Sequence, residues 1–260
     1  MDNNKLTYLI KYLLAERPEI SADIPQSADD KFRLYRSLVN TRPAMKADSE
    51  YLAAEEDFLK KMTAEKGITD ISQLEPYEKN IYLWQGDITT LRCGAIVNAA
   101  NSGMTGCWHP CHSCIDNCIH TFAGVGLRYE CAQLMEAQGH DEPAGNAKIT
   151  SAYALPCQYV IHTVGPIVSG HLTDEHCRLL KSCYSSCLEL AEQNGIKSIA
   201  FCCISTGVFG FPQKEAAEIA VSTVREFVKS HDIEVIFNVF SDRDFEIYRK
   251  LLGYNKQACR

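Results

Sequence analysis

From Tyr77 onward, short runs of β-branched and aromatic residues alternate with longer segments that carry apolar residues at helical spacing. The short runs have the length and composition of buried strands, and the longer segments can form the helices that connect them. This alternation predicts a three-layer α/β domain with a mixed central sheet. We expect strands at 81–85, 95–98, 147–152, 159–163, 198–204 and 234–240, and helices at 115–138, 174–194, 213–230 and 242–252.

The first 76 residues have a different pattern. Apolar residues recur at helical spacing within 6–14, 32–39 and 52–62, prolines separate these segments, and Gly67 closes the third. The chain is therefore predicted to have two parts, a helical N-terminal extension (1–76) and an α/β domain (77–260).

Charge and composition exclude several classes of protein. The 26 basic and 33 acidic residues give a net charge of -7, which argues against a broad contact with nucleic acid or an anionic membrane. No apolar run approaches the roughly 20 residues that span a bilayer, and the N-terminus is not signal-like. Because the 13 cysteines are odd in number and no secretion signal is found, we expect reduced thiols and a cytoplasmic protein.

The densest chemistry lies in one short segment, which contains Cys107, His109, Cys111, His112, Cys114, Asp116, Cys118 and His120. Such a density of thiol and imidazole groups is typical of a metal site. A closed structural zinc site would use Cys107, Cys111, Cys114 and Cys118. The spacing of the first three cysteines also equals the iron–sulfur motif of radical enzymes that use S-adenosylmethionine, although Ser113 stands where that family usually has an aromatic residue.

Two junctions between a predicted strand and a loop are also suited to ligand binding. Asp87, in Gln85-Gly86-Asp87-Ile88-Thr89, could accept hydrogen bonds from an exocyclic amine or a ribose, or could simply cap a turn. The loop 204–212 contains two glycines that let backbone N–H groups turn toward an anion such as a diphosphate. A plain turn is the alternative for this loop.

Taken together, four motifs are much more specific: Gly86-Asp87-Ile88-Thr89, Ile96-Val97-Asn98-Ala99-Ala100-Asn101, Val160-Ile161-His162-Thr163-Val164-Gly165-Pro166 and the run 205–212. In this order they resemble a macrodomain, the ADP-ribose-binding fold, from Tyr77 to about Gly253. The resemblance implies that Asp87 binds the adenine, that Asn101 contacts the distal ribose and that 205–209 cradles the diphosphate. The implied ADP-ribose-binding residues are Asp87, Ile88, Asn101, Ile115, Asp116, Ser205, Thr206, Gly207, Val208 and Phe209.

Where hydrolytic macrodomains usually have a glycine-rich stretch, this chain has the cysteine and histidine segment. It thereby resembles the zinc-dependent macrodomain branch of microbes, which also has an N-terminal extension. The resemblance implies one Zn²⁺ per chain and removal of ADP-ribose from proteins. Some members act with a sirtuin-like transferase on a lipoyl carrier protein. Because a catalytic zinc leaves one position open, and in line with that branch, we predict Cys107, His112 and Cys114 as ligands and Cys111 and Cys118 as bystanders.

The predicted catalytic residues are Asp116 and Asn101. Asp116 matches the aspartate that the related hydrolases use for ribose contact and water activation, and its alternative is a helix N-cap for 117–120. We expect His109 to be exposed and His120 and His162 to be hydrogen-bonded structural imidazoles.

The predicted function is zinc-dependent hydrolysis of mono-ADP-ribosylated protein. The alternative, from another class, is a non-catalytic ADP-ribose-binding module with a structural zinc site. Whether zinc activates water or anchors the ribose is left open, as is whether the extension covers the adenine side or docks the substrate protein.

Overall fold

The computed structural model describes residues 2–253, so residues 254–260 of the predicted second domain lie outside the described residues. The helices are α1 (Asn3–Ala15), α2 (Ala28–Asn40), α3 (Ser49–Lys66), α4 (Ile115–Ala123), α5 (Val125–Gln138), α6 (Asp174–Gln193), α7 (Gln213–Val228) and α8 (Asp242–Leu251). The strands are β1 (Thr69–Asp70), β2 (Ile81–Gln85), β3 (Leu91–Arg92), β4 (Ala95–Ala100), β5 (Ala147–Ser151), β6 (Tyr159–Val164), β7 (Ser198–Phe201) and β8 (Glu234–Val239).

Six strands form the central sheet in the order β2-β8-β7-β4-β6-β5. The first five are parallel to one another, and β5 pairs with β6 in the antiparallel direction at one edge. Helices α6, α7 and α8 pack side by side, while α4 packs on α2 and α3 of the extension and α5 is linked to the extension by hydrogen bonds. The predicted three-layer α/β fold with a mixed sheet is confirmed. None of the helices within residues 2–253 is long and apolar enough to cross a bilayer.

One predicted helix is wrong in its extent. The segment 115–138 is divided at Gly124, whose φ of 94° interrupts the helical backbone between α4 and α5. A Cβ at this position would lie 2.6 Å from Oε2 of Glu55, so the break brings the chain close to a carboxylate of α3. The strand predicted at 198–204 also ends early, at Phe201, because the chain leaves the sheet there to form the loop that follows β7.

The extension packs into the same hydrophobic core as the sheet. The predicted apolar stripes are buried at their centres, and in α1 the residues Leu6, Leu9, Ile10 and Leu13 have no exposed surface. Burying each such side chain stabilises the fold by about 1.5–3 kcal/mol. The extension also contains β1, which pairs in parallel with β3 and which the helical pattern did not predict.

A buried carboxylate joins the extension to the second domain. Glu55 of α3 accepts hydrogen bonds from the hydroxyls of Tyr35 (2.6 Å) and Tyr51 (2.9 Å) and from the backbone N–H of Val125 (2.8 Å) at the start of α5. Burial raises the pKa of Glu55 above its ordinary value. The N-terminus of α5 therefore depends on a side chain of the extension.

Candidate active site

The predicted ligand residues follow parallel strands of the central sheet. Asp87 comes after β2, Asn101 after β4 and the loop 205–209 after β7. Because parallel strands end at the same edge, these residues share the carboxyl edge of the sheet, where open α/β sheets bind ligands. The central position of β4, between β6 and β7, places its last residues in the middle of this edge.

Asp116 is the most constrained of the predicted site residues. It is the second residue of α4 and is 5% exposed. Its Oδ1 accepts a hydrogen bond from Nδ2 of Asn98 (2.8 Å), and its Oδ2 accepts one from Nδ2 of Asn101 (3.2 Å). Burial raises the pKa of Asp116 to about 6, while the Asn98 hydrogen bond and the charge of Arg128 lower it. The carboxylate is thus oriented by two amides and suited to accept a proton near neutral pH.

Asn101 is itself held in place by backbone groups. Its Oδ1 accepts from the N–H of Gly103 (3.0 Å), and its Nδ2 also donates to the carbonyl of Gly106 (3.1 Å). Sequence reasoning did not select Asn98 as a site residue. The available signal was an amide inside an apolar strand, because a buried polar side chain requires a partner.

Two buried imidazoles, those of His120 and His162, lie close to Asp116 and Asn98. His162 contacts Nδ2 of Asn98 (3.1 Å) and Oγ1 of Thr150 (2.9 Å), as expected for a hydrogen-bonded imidazole. The same prediction for His120 is wrong, since neither of its ring nitrogens has a hydrogen-bond partner among the described residues; Nε2 lies 3.5 Å from Oδ1 of Asp116. Burial lowers the pKa of both, to about 3 for His162, so both rings are neutral.

The two histidines form a buried cluster with Cys131. One ligand atom from each of the three residues lies within 4.8 Å of the others. Burial raises the pKa of the Cys131 thiol, so all three side chains are uncharged at neutral pH. Two members of this cluster adjoin the candidate site, since His162 contacts Asn98 and His120 lies beside Asp116.

The structure brings the three predicted zinc ligands together. One ligand atom each of Cys107, His112 and Cys114 lies within 4.8 Å of the others, and Sγ of Cys107 is 3.7 Å from Nδ1 of His112. All three are partly exposed. Cys111 and Cys118 stand outside this cluster, and both the four-cysteine and the iron–sulfur alternatives would need Cys111. His109 is exposed, as expected.

Cys114 is the N-cap residue of helix α4. Its Sγ accepts a hydrogen bond from the N–H of Asn117 (3.4 Å) and so caps the helix. The alternative interpretation of Asp116 as the N-cap is therefore wrong. Burial raises the pKa of the Cys114 thiol, whereas its position at a helix N-terminus favours the thiolate.

At the far end of the edge, Asp87 caps a short 3-10 turn, Ile88–Thr90. Its Oδ1 accepts from the backbone N–H (3.0 Å) and the hydroxyl (2.6 Å) of Thr89, and its Oδ2 lies 3.4 Å from Nζ of Lys66 at the end of α3. Ile88 is buried. The turn interpretation is correct: the cap uses Oδ1, while Oδ2 of this partly exposed carboxylate is paired with Lys66.

The loop after β7 is fixed by backbone hydrogen bonds, and part of it is exposed. The carbonyl of Ser205 accepts from the N–H of Phe211 (2.9 Å), and that of Phe209 accepts from the N–H of Val168 (2.8 Å). Ser205 has a φ of 64° and is buried, whereas Val208 is 83% exposed. A loop fixed in this way can direct backbone N–H groups toward an anion.

Comparison with known proteins places the chain in a family. The Macro domain model matches residues 97–220. A protein-ADP-ribose hydrolase of Treponema medium is 54% identical over 253 residues, which cover 95% of this chain and 97% of that relative. A probable bifunctional ADP-ribose hydrolase/ADP-ribosyltransferase of Fusarium oxysporum is 43% identical over 86% of this chain and 41% of its own length. The Trypanosoma brucei macrodomain, solved with ADP-ribose, superimposes with a TM-score of 0.65 at 31% identity, covering 84% of this chain and 95% of that one. The chain therefore belongs to the macrodomain family, among the protein-ADP-ribose hydrolases.

Proposed function

We propose that this protein is a zinc-dependent hydrolase that removes ADP-ribose from a modified protein side chain. The observation that carries the proposal is the proximity in sequence and structure of two groups of residues. Cys107, His112 and Cys114 converge at the start of α4, and Asp116 follows two residues later, oriented by an amide on each carboxylate oxygen.

The donor set fits zinc. Two thiols and one imidazole are preferred zinc ligands, and three protein ligands leave a fourth position for water or substrate. Their partial exposure gives a substrate access to that position. When bound, one zinc ion per chain would supply Lewis-acid chemistry, either to water or to a hydroxyl of the distal ribose.

The protein's own residues supply the remaining chemistry. Asn101 contacts the distal ribose, and Asp116 accepts a proton from the attacking water. The water oxygen bonds to the anomeric carbon, and the bond from that carbon to the modified side chain breaks. The proton that Asp116 accepted passes to the leaving side chain, which restores the carboxylate. Asn98 and Asn101 fix the direction of the Asp116 carboxylate through hydrogen bonds of 2.8 and 3.2 Å.

The rest of the ligand extends along the carboxyl edge. Asp87 accepts the adenine amine through Oδ2, Ile88 and Ile115 line the pocket, and the backbone of 205–209 holds the diphosphate. Main-chain binding of an anion suits a protein with a net charge of -7.

The resemblance to the zinc-dependent branch extends the proposal to a substrate, a lipoyl carrier protein modified by a sirtuin-like transferase. The Fusarium oxysporum relative, named for both hydrolase and transferase activities, supports such a pairing. Because thiol ligands must stay reduced, we place this reaction in the cytoplasm.

The test combines metal analysis with turnover. The purified chain is assayed for zinc and for release of ADP-ribose from a mono-ADP-ribosylated lipoyl carrier protein and from proteins modified at other side chains. Chelation should abolish release and added zinc should restore it, with about one zinc per chain. Zinc without release from any substrate would favour the non-catalytic binding module, and a metal-free active protein would refute the zinc assignment.

A further inference from the structure

Helix α2 of the extension contacts the loop that carries the predicted zinc ligands, which we call the cysteine loop (107–114). Nη2 of Arg36 donates to the carbonyl of His112 (2.6 Å). Nε and Nη2 of the same guanidinium also donate to Oδ1 of Asn117 (3.2 and 2.9 Å). One side chain of α2 thus holds both the backbone of a ligand and the first turn of α4.

A second residue of α2 repeats this bridge. Oδ1 of Asn40 accepts from the N–H of Cys111 (2.9 Å), and its Nδ2 donates to Oγ1 of Thr121 in α4 (3.0 Å). Asn117, which Arg36 holds, donates through Nδ2 to the carbonyl of His109 (2.9 Å). The cysteine loop is therefore attached at three neighbouring backbone positions.

Support from outside is needed because the cysteine loop has no regular secondary structure of its own. Cys111 adopts a φ of 56°, an uncommon conformation for a residue with a side chain. A metal site requires its ligands to be held in a fixed arrangement, and residues behind the ligands usually provide this.

We infer that Arg36 is a positioning residue that holds the cysteine loop in the arrangement that binds metal, so that the extension is part of the metal site. The inference rests on the proposed zinc function. Arg36 contacts the loop through the His112 carbonyl and is not a member of the ligand cluster of Cys107, His112 and Cys114. The planar guanidinium suits this role because Nε and Nη2 reach the two acceptors in a fixed geometry, which the flexible ammonium of a lysine does not provide.

Arg225 of α7 offers a matched control. It is also partly buried, and it also donates to a backbone carbonyl (Leu251, 2.8 Å) and to a side-chain oxygen (Glu78, 2.9 Å), far from the cysteine loop. Replacing either arginine with methionine keeps the aliphatic stem and removes the donors.

The experiment compares Arg36→Met, Arg36→Lys and Arg225→Met in the full chain. Zinc affinity is measured by competition with a chromophoric chelator, and backbone hydrogen exchange of the metal-free protein is followed across residues 107–114. We expect Arg36→Met to weaken zinc binding about tenfold or more and to accelerate exchange in the loop, as expected when a charge-assisted hydrogen bond that holds a ligand is lost. Arg36→Lys should recover part of both effects, and Arg225→Met should lower only the unfolding temperature.

Equal zinc affinity and equal loop exchange in Arg36→Met and Arg225→Met would overturn the inference. If the wild-type chain binds no zinc, the proposed function fails, but the exchange measurement still decides whether Arg36 holds the loop. Should Arg36→Met fail to fold, Arg36→Lys is compared with the wild type instead, and a smaller loss of zinc affinity with a smaller rise in loop exchange is expected; no change in either would overturn the inference.

Discussion

Replacement of Asp116 with asparagine tests the active site most directly. The amide keeps the shape of the side chain but has no charge and cannot accept a proton from water. Loss of a general base lowers a rate by about 10²–10⁴, or roughly 3–5 kcal/mol in the barrier. The wild-type carboxylate accepts from both Asn98 and Asn101, whereas the amide has one oxygen, so one donor loses its acceptor. An unpartnered buried donor costs about 1–3 kcal/mol of unfolding free energy.

The assay is single-turnover release of ADP-ribose with enzyme in excess, so that the rate reports the chemical step. Zinc content, measured on the same protein, should stay close to wild type because Asp116 is outside the metal-ligand cluster. ADP-ribose affinity should fall much less than the release rate, because the adenine and the diphosphate are bound elsewhere, at Asp87 and the loop 205–209. Glu55→Gln is the control: it also neutralises a fully buried carboxylate and destabilises the fold, but it lies outside the site. Equal release rates for the two variants would refute a catalytic role for Asp116.

Three further predictions concern the metal, the loop 205–209 and the pH dependence of stability. Cys114→Ala should remove zinc and activity together, while Cys111→Ala, in the same loop but outside the cluster, should keep both; activity without zinc would refute the metal role. Gly165→Ala would place a methyl group 2.0 Å from Oγ of Ser205, so the loop must shift and calorimetry should show ADP-ribose affinity reduced about tenfold, ~1.4 kcal/mol; unchanged affinity would contradict the diphosphate assignment. Burial raises the pKa of Glu55 in the folded state, so the folded protein binds this proton more tightly and stability falls as pH rises from the unfolded to the folded pKa. Thermal unfolding across pH should show a smaller decline for Glu55→Gln, and an unchanged decline would assign the effect elsewhere.

The fold was largely predictable because its elements are defined by local periodicity. Strands and helices after residue 77 each contain enough apolar residues to define a period. The break at Gly124 was missed because apolar spacing continues across it. What ends the helix there is a carboxylate 70 residues away, Glu55, which accepts from Val125 and occupies the space beside Gly124.

The same difference between local patterns and contacts distant in sequence applies to the active site. The three predicted metal ligands lie within eight residues, and the resemblance to the zinc-dependent branch selected them from the other cysteines and histidines of the segment. The contacts of Asn98 and Arg36 join segments that are distant in sequence, and neither amphipathic pattern nor composition marks such pairs. For His120 the helical position was predictable, but its lack of a hydrogen-bond partner among the described residues depends on how α4 packs on β4 and near the His162 ring of β6.

The contacts of the cysteine loop give the N-terminal extension a structural role, because α2 packs directly against this loop. A glycine-rich loop can surround a ligand with its own backbone, and tight turns suffice to hold it. A loop that offers side chains to a metal must instead fix the positions of several Cβ atoms, and 107–114 forms neither helix nor strand that could do so. One end is fixed because Cys114 caps α4, which also sets the spacing to Asp116. The middle is held by Arg36 and Asn40, so the proposed metal site depends on the helix α2 that packs against the loop.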